Sequence, residues 1–129
     1  MSENIVYIDR SDILDGKLEE LKEGINELVE FVDTHEPQLI SYGFFITEEA
    51  ARMTVVAVHP DSASLEFHME IAGSAFRKLS GFIKLTTIEV YGRPSGKALN
   101  LLRQKARMLC DGDSVVVQEP QAGFARFPS

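Results

Sequence analysis

The sequence predicts an α+β sandwich: two β-α-β units in the order βαββαβ, one antiparallel sheet with both helices on the same face, then a further helix and strand. Three observations predict it. A long segment carries a single apolar stripe at helical spacing, with Leu18, Leu21, Ile25, Leu28 and Val32 stepping by three, four, three and four. A second segment opens at Asp61, a good helix cap, and puts Leu65, His68 and Ala72 on one face. The runs around them are β-branched, aromatic and nearly uncharged.

Taken in order, Ile5 to Asp9 (IVYID) reads as the first strand, Asp12 to Gly16 as a polar turn, and Asp15 as a cap for the helix from Lys17 to about His35. Glu19 and Glu20 sit in its first turn, where the helix dipole favours negative charge, and Pro37 ends it. Leu39 to Thr47 is the second strand, Glu48 to Ala51 a turn, and Arg52 to His59 the third strand, which together form a hairpin. A hairpin with one wet face should alternate apolar and polar. Here both sets are largely uncharged: Ile40, Tyr42, Phe44 and Ile46 against Leu39, Ser41, Gly43 and Phe45, and Met53, Val55 and Ala57 against Thr54, Val56 and Val58. Both faces are therefore expected to be covered, one by helices and the other by a second copy of the chain.

The Asp61 helix carries His68 to the interior; Gly73 is expected to separate it from a short helical turn bearing Phe76 and Leu79. Ile83 to Tyr91 (IKLTTIEVY) is the fourth strand. Right-handed crossovers then put the first and third strands side by side in the centre, the ferredoxin-like arrangement. Ser95 is a cap for a third helix from Lys97 to about Cys110, with Ala98, Leu101, Leu102, Ala106 and Leu109 inward. Asp111 to Asp113 reads as a turn, and Val115 to Val117 begins a last extended segment with room to continue to Phe127, its pairing limited by Pro120 to an edge or a break. The expected organisation is one domain over 1–129, with a core over 1–92 and a helix-strand extension over 93–129.

A net charge of −7 and a pI near 4.9 argue against nucleic-acid binding, which needs a basic surface to displace counterions. No run approaches the ~20 apolar residues of a membrane span, and no basic region followed by a long apolar stretch opens the chain. Cys110 is the one cysteine, so no intrachain disulfide is possible, and a cytoplasmic location is expected.

Several chemistries lack their residues. Gly92 and Gly96 do not follow the strand-to-helix pattern of a phosphate loop, and there is no CxxC or HExxH. His35, His59 and His68 have no recognised metal spacing, so no metal is expected, although His59 and His68 would converge if the helix folds back over its strand. Cys110, near a helix C-terminus, lacks the positive dipole that activates a thiol. Glu19, Glu20, Glu23, Glu27 and Glu30 are the wet face of the first helix. His68 is either a neutral core histidine or a pocket residue that moves a proton. Tyr42, Phe44, His59, Phe67 and Tyr91 are the candidates for lining such a pocket.

GKLEELKEGINELVEFVDTHEPQLISYGFF followed by RMTVVAVHPDSASLEFHM resembles the antibiotic biosynthesis monooxygenase family, the dimeric α+β barrels. The carrying motifs are Gly-Lys-x-Glu-Glu opening the first helix, the Ser-Tyr strand after it, and a strand leading into D-x-x-S-L-x-x-H-M; they span residues 5 to 91. The resemblance implies two sheets packed face to face across a homodimer. It also implies a pocket between sheet and helices, with His68 at the position of the family's helix-two histidine. Family members include cofactor-independent monooxygenases acting on aromatic polyketides and quinols, and haem-degrading enzymes. The haem-degrading and polyketide-oxidising members use a tryptophan, and this chain has none, which argues against haem.

Two readings follow. One is an enzyme that oxidises a small aromatic or quinol with O₂ and no cofactor, His68 assisting proton transfer and Tyr42 or Tyr91 orienting the substrate. The other is a non-catalytic dimeric module that binds a small apolar ligand or serves assembly.

Overall fold

The computed structural model describes residues 3–109 and 115–127. The elements are β1 (Ile5–Ile13), α1 (Leu18–His35), β2 (Ser41–Thr47), β3 (Arg52–His59), α2 (Ser62–Arg77), β4 (Ile83–Tyr91), α3 (Gly96–Leu109) and β5 (Val115–Gln118). They make one five-stranded sheet in the order β2-β3-β1-β4-β5, with β1 and β3 adjacent as the crossover argument requires. The first four strands pair antiparallel, whereas β5 joins β4 in parallel, so the complete sheet is mixed.

The stripe of α1 buries Leu21, Ile25, Leu28 and Val32, each worth about 1.5–3 kcal/mol relative to exposure. They meet Leu65, Ala72 and Phe76 of α2, Ala98, Leu102 and Ala106 of α3, and Ile5, Met53, Val55, Leu85 and Ile88 of the sheet in one core. All three helices thus share one face. Asp61 caps α2, its carboxylate accepting from the Ser64 N–H at 2.9 Å, and Ser95 caps α3, its hydroxyl accepting from the Ala98 N–H at 3.0 Å.

Four local expectations need correction. β1 runs on to Ile13, because Ser11 and Ile13 continue the buried alternation of Ile5, Tyr7 and Asp9. Asp15 caps nothing: α1 starts after Lys17 without a side-chain cap. Gly73 does not divide α2, which continues to Arg77; an exposed glycine mid-helix lowers propensity without breaking the ladder. The last strand stops at Gln118, and residues 119–127 are exposed. Cys110 and the expected turn at Asp111 to Asp113 lie outside the described residues.

Among the described residues no helix covers the other face of the sheet. Val6, Ile8, Val56 and Val58 lie at its centre, partly exposed, with Phe45 (61 % exposed) folded over Gly43 beside them and Val116 and Tyr91 toward β5.

The cap of α2 holds the helix that delivers His68. Asp61→Ala should cost about 1 kcal/mol, read as a lowered midpoint in urea unfolding with an unchanged slope.

Candidate functional site

Between sheet and helices the core is interrupted by polar side chains. The sharpest contact joins α1 to α2. Glu36 follows Val32 by four residues, so it extends the buried stripe of α1. Its backbone N–H closes the helix on the Val32 carbonyl at 2.9 Å, and its side chain turns inward with no exposed surface. There its Oε2 accepts a hydrogen bond from His68 Nδ1 at 2.7 Å. That bond orients the imidazole and leaves Nε2 as the ring's acceptor. Glu36 Oε1 has no partner.

His59, the last residue of β3, is fully buried beside it, the two imidazole centroids 5.6 Å apart. His59 Nδ1 shares a hydrogen bond with Ser64 Oγ at 2.7 Å, and Nε2 has no partner. Burial, then the neighbouring His68, lowers its pKa to about 3, so His59 is neutral. Tyr42 packs edge-on against His68 at 5.2 Å and against Phe44 at 5.2 Å. Burial first, then the charges of Asp9 and Glu36, push the Tyr42 phenol far above its ordinary value, so it stays protonated. Four of the expected residues, His68, His59, Tyr42 and Phe44, are therefore brought together.

Two are not. Tyr91 pairs with Val6 on the helix-free face, where its hydroxyl donates to Glu89 Oε2 at 2.5 Å; the β alternation turns it away from His68. Phe67 precedes His68 by one residue, which turns it off the buried face of α2, and it is 41 % exposed.

A cleft of about 180 Å³ opens between α2 and α3. His68, Ala72 and Phe76 line it from α2, and Leu101, Gln104 and Lys105 from α3. At the Lys105 end, the ammonium donates to Tyr7 Oη at 2.7 Å and Asp9 Oδ2 at 3.2 Å, and lies 3.8 Å from the Phe76 ring centroid. The Tyr7 hydroxyl also donates to Asp9 Oδ2. Asp9 is fully buried, and its Oδ1, Ser11 Oγ and Thr87 Oγ1 have no partner among the described residues. Among the described residues no set of three or more His, Cys, Asp or Glu side chains is placed to hold a metal ion.

Glu36, Tyr7, Asp9 and Lys105 are the polar residues of this region that the sequence reading does not single out. The signal for Glu36 was its place one helical step beyond Val32; for Asp9, its place in the buried alternation of β1. Lys105 carried none, since a lysine beside an inward alanine usually reaches water.

No protein-family model matches this sequence, and no curated protein matches it. Solved structures do. MupZ from Pseudomonas fluorescens superposes with a TM-score of 0.76 at 18% identity, over 97% of this chain and 96% of that one. SnoaB from Streptomyces nogalater, a cofactor-independent oxygenase crystallised as a point variant, gives 0.59 at 9% identity, over 73% of this chain and 96% of that one. A presumptive antibiotic biosynthesis monooxygenase from Bacteroides thetaiotaomicron gives 0.56 at 20% identity, over 73% and 90%. At these identities the likeness is one of fold: this chain has the ferredoxin-like fold of the antibiotic biosynthesis monooxygenase-like proteins. No helix among the described residues is long and apolar enough to cross a membrane.

The neutral His59 sets a pH dependence. Its folded pKa of about 3 lies below the unfolded value of 6.5, so between them the unfolded chain binds more protons. Stability from this residue is complete above about pH 6.5 and is lost as pH falls toward 3, by up to about 1.4 kcal/mol per pH unit. Urea unfolding of wild type and His59→Gln at pH 7 and pH 4.5 should show the variant losing about 2.5 kcal/mol less on acidification.

Proposed function

We propose that this chain is a cofactor-independent monooxygenase acting on a small electron-rich aromatic, a quinol or related phenol, held in the cleft beside His68. The observation that carries the reading is the buried Glu36 carboxylate bonded to His68 Nδ1, with the histidine itself bordering the cleft. A carboxylate behind an imidazole fixes its tautomer and stabilises the cation formed when Nε2 takes a proton. The fold shared with a cofactor-independent oxygenase supports the same reading.

In this mechanism His68 removes a proton from the bound quinol, and the electron-rich anion passes one electron to O₂. The radical pair recombines at a ring carbon to a hydroperoxide, which loses water. Quinol and O₂ give hydroxyquinone and water, so the substrate supplies every electron. Tyr42, kept protonated, is a neutral donor beside the imidazole, and Phe44 backs it.

Oxygen uptake with a quinol substrate tests it. His68→Ala should lower the rate about 10²–10⁴-fold, with Glu36→Gln falling between the two. Equal rates in wild type and His68→Ala would remove the catalytic role.

The protein also acts as a homodimer joined through the helix-free sheet face. Val6, Ile8, Val56, Val58 and the exposed Phe45 form an apolar surface that support this, and lone soluble domains rarely leave such a patch uncovered. Sedimentation at micromolar concentration should give a dimer for wild type and a monomer for Ile8→Lys; a wild-type monomer would refute it.

A further inference from the structure

We propose that Lys105 makes the cleft an anion site, so that the phenolate of the aromatic substrate is held with its charged oxygen on the lysine ammonium. This rests on the oxygenase reading and gives its substrate a required chemical group.

The lining carries the argument. The chain has 20 Asp and Glu against 13 Lys and Arg, yet among the described residues no Asp or Glu lines the cleft, whose ionisable side chains are His68, Arg77 and Lys105. The position of the lysine sharpens the point. Asp9, its counter-charge on β1, is completely buried, whereas the Lys105 side chain keeps 12% of its surface exposed. The pair therefore lies with its negative end in the core and its positive end toward the cleft. An ammonium has three donors; Tyr7 and Asp9 take two, leaving one for a ligand oxygen.

Held this way, the cation needs little reorganisation to meet an anion, and in an apolar cleft the attraction is stronger than in water. Phe76, under the ammonium at 3.8 Å, together with Met69 and Leu101, provides the apolar wall against which an aromatic ring would lie. Tyr7 and Asp9 are positioning residues for the lysine. The division of labour is then complete: His68 accepts the proton and Lys105 holds the oxygen that loses it.

The probe is 4-nitrophenol at mildly alkaline pH, where it is largely ionised and its absorbance reports the phenolate, against 4-nitroanisole, its neutral methyl ether. Equilibrium titration of the full chain should show wild type binding the phenolate at least tenfold more tightly than the ether. Lys105→Gln should abolish the preference, and Lys105→Arg should keep most of it. Because Lys105→Gln strands the buried Asp9 charge, the double variant Asp9→Asn/Lys105→Met, which removes both charges, must lose the preference as well. Wild type binding neither probe, binding both equally, or a double variant that keeps the preference would overturn the proposal. Oxygen uptake separates the two claims. His68-dependent turnover without phenolate preference removes only the anion site, and phenolate preference without any turnover removes only the oxygenase reading.

Discussion

The bond between Glu36 and His68 is the constraint on which the interior is arranged. A carboxylate with no exposed surface is expensive to bury, and the expense is tolerated only where a partner stands at hydrogen-bond distance. Here that partner comes from another helix, so the end of α1 and the middle of α2 are fixed relative to each other at a polar contact of 2.7 Å. Packing alone would not require it. A leucine at 36 and a methionine at 68 would continue both stripes and fill the space without desolvating charge. The same layer holds further polar atoms with no partner, among them Asp9 Oδ1, Ser11 Oγ and His59 Nε2. Natural interiors keep such atoms few, and here they gather between one sheet face and three helices.

The extension beyond Tyr91 gives that layer its opening. Four strands and two helices leave the flank of α2 uncovered; β4 then leads through α3 to β5 on the same edge of the sheet. α3 lays Ala98, Leu102 and Ala106 into the core and brings Lys105 over Phe76 to reach Tyr7 and Asp9 on β1. The cleft exists only between α2 and this added helix. A match spanning 97% of the chain, as with MupZ, leaves no room to omit α3, so the extension belongs to a shared architecture and is not a local embellishment.

Much of this was legible in the sequence, because much of it follows from periodicity. The stripe of α1, the Asp61 cap, the inward His68 and the limits of β3 and β4 are each set by spacing or by one capping residue. The errors have a common origin in reading by residue type. Asp12 was assigned to a turn because it is polar, although Ser11 and Ile13 prolong the alternation that makes β1 longer. Tyr91 was assigned to the pocket because it is aromatic, although β parity places it with Val6 on the opposite face. Glu36 is not singled out because it follows the expected helix end at His35, although counting four from Val32 puts it on the buried stripe. Lys105 was beyond reach, since its environment is made by β1, nearly a hundred residues earlier in the chain.

The two buried histidines differ in what their surroundings offer a positive charge. Their centroids are 5.6 Å apart in a poorly solvated interior, where two imidazolium ions would repel each other strongly. Charging both rings at once is therefore disfavoured. His59 faces a serine hydroxyl on one side and nothing on the other, so its cation would have no counter-charge. His68 faces a carboxylate at 2.7 Å and borders the cleft. Its cation would be paired at once, and its proton would have come from whatever occupied the cleft. The neighbouring imidazoles thus differ by their surroundings alone: His59 is neutral and packed away from the cleft, and His68 pairs with a carboxylate at the cleft's edge.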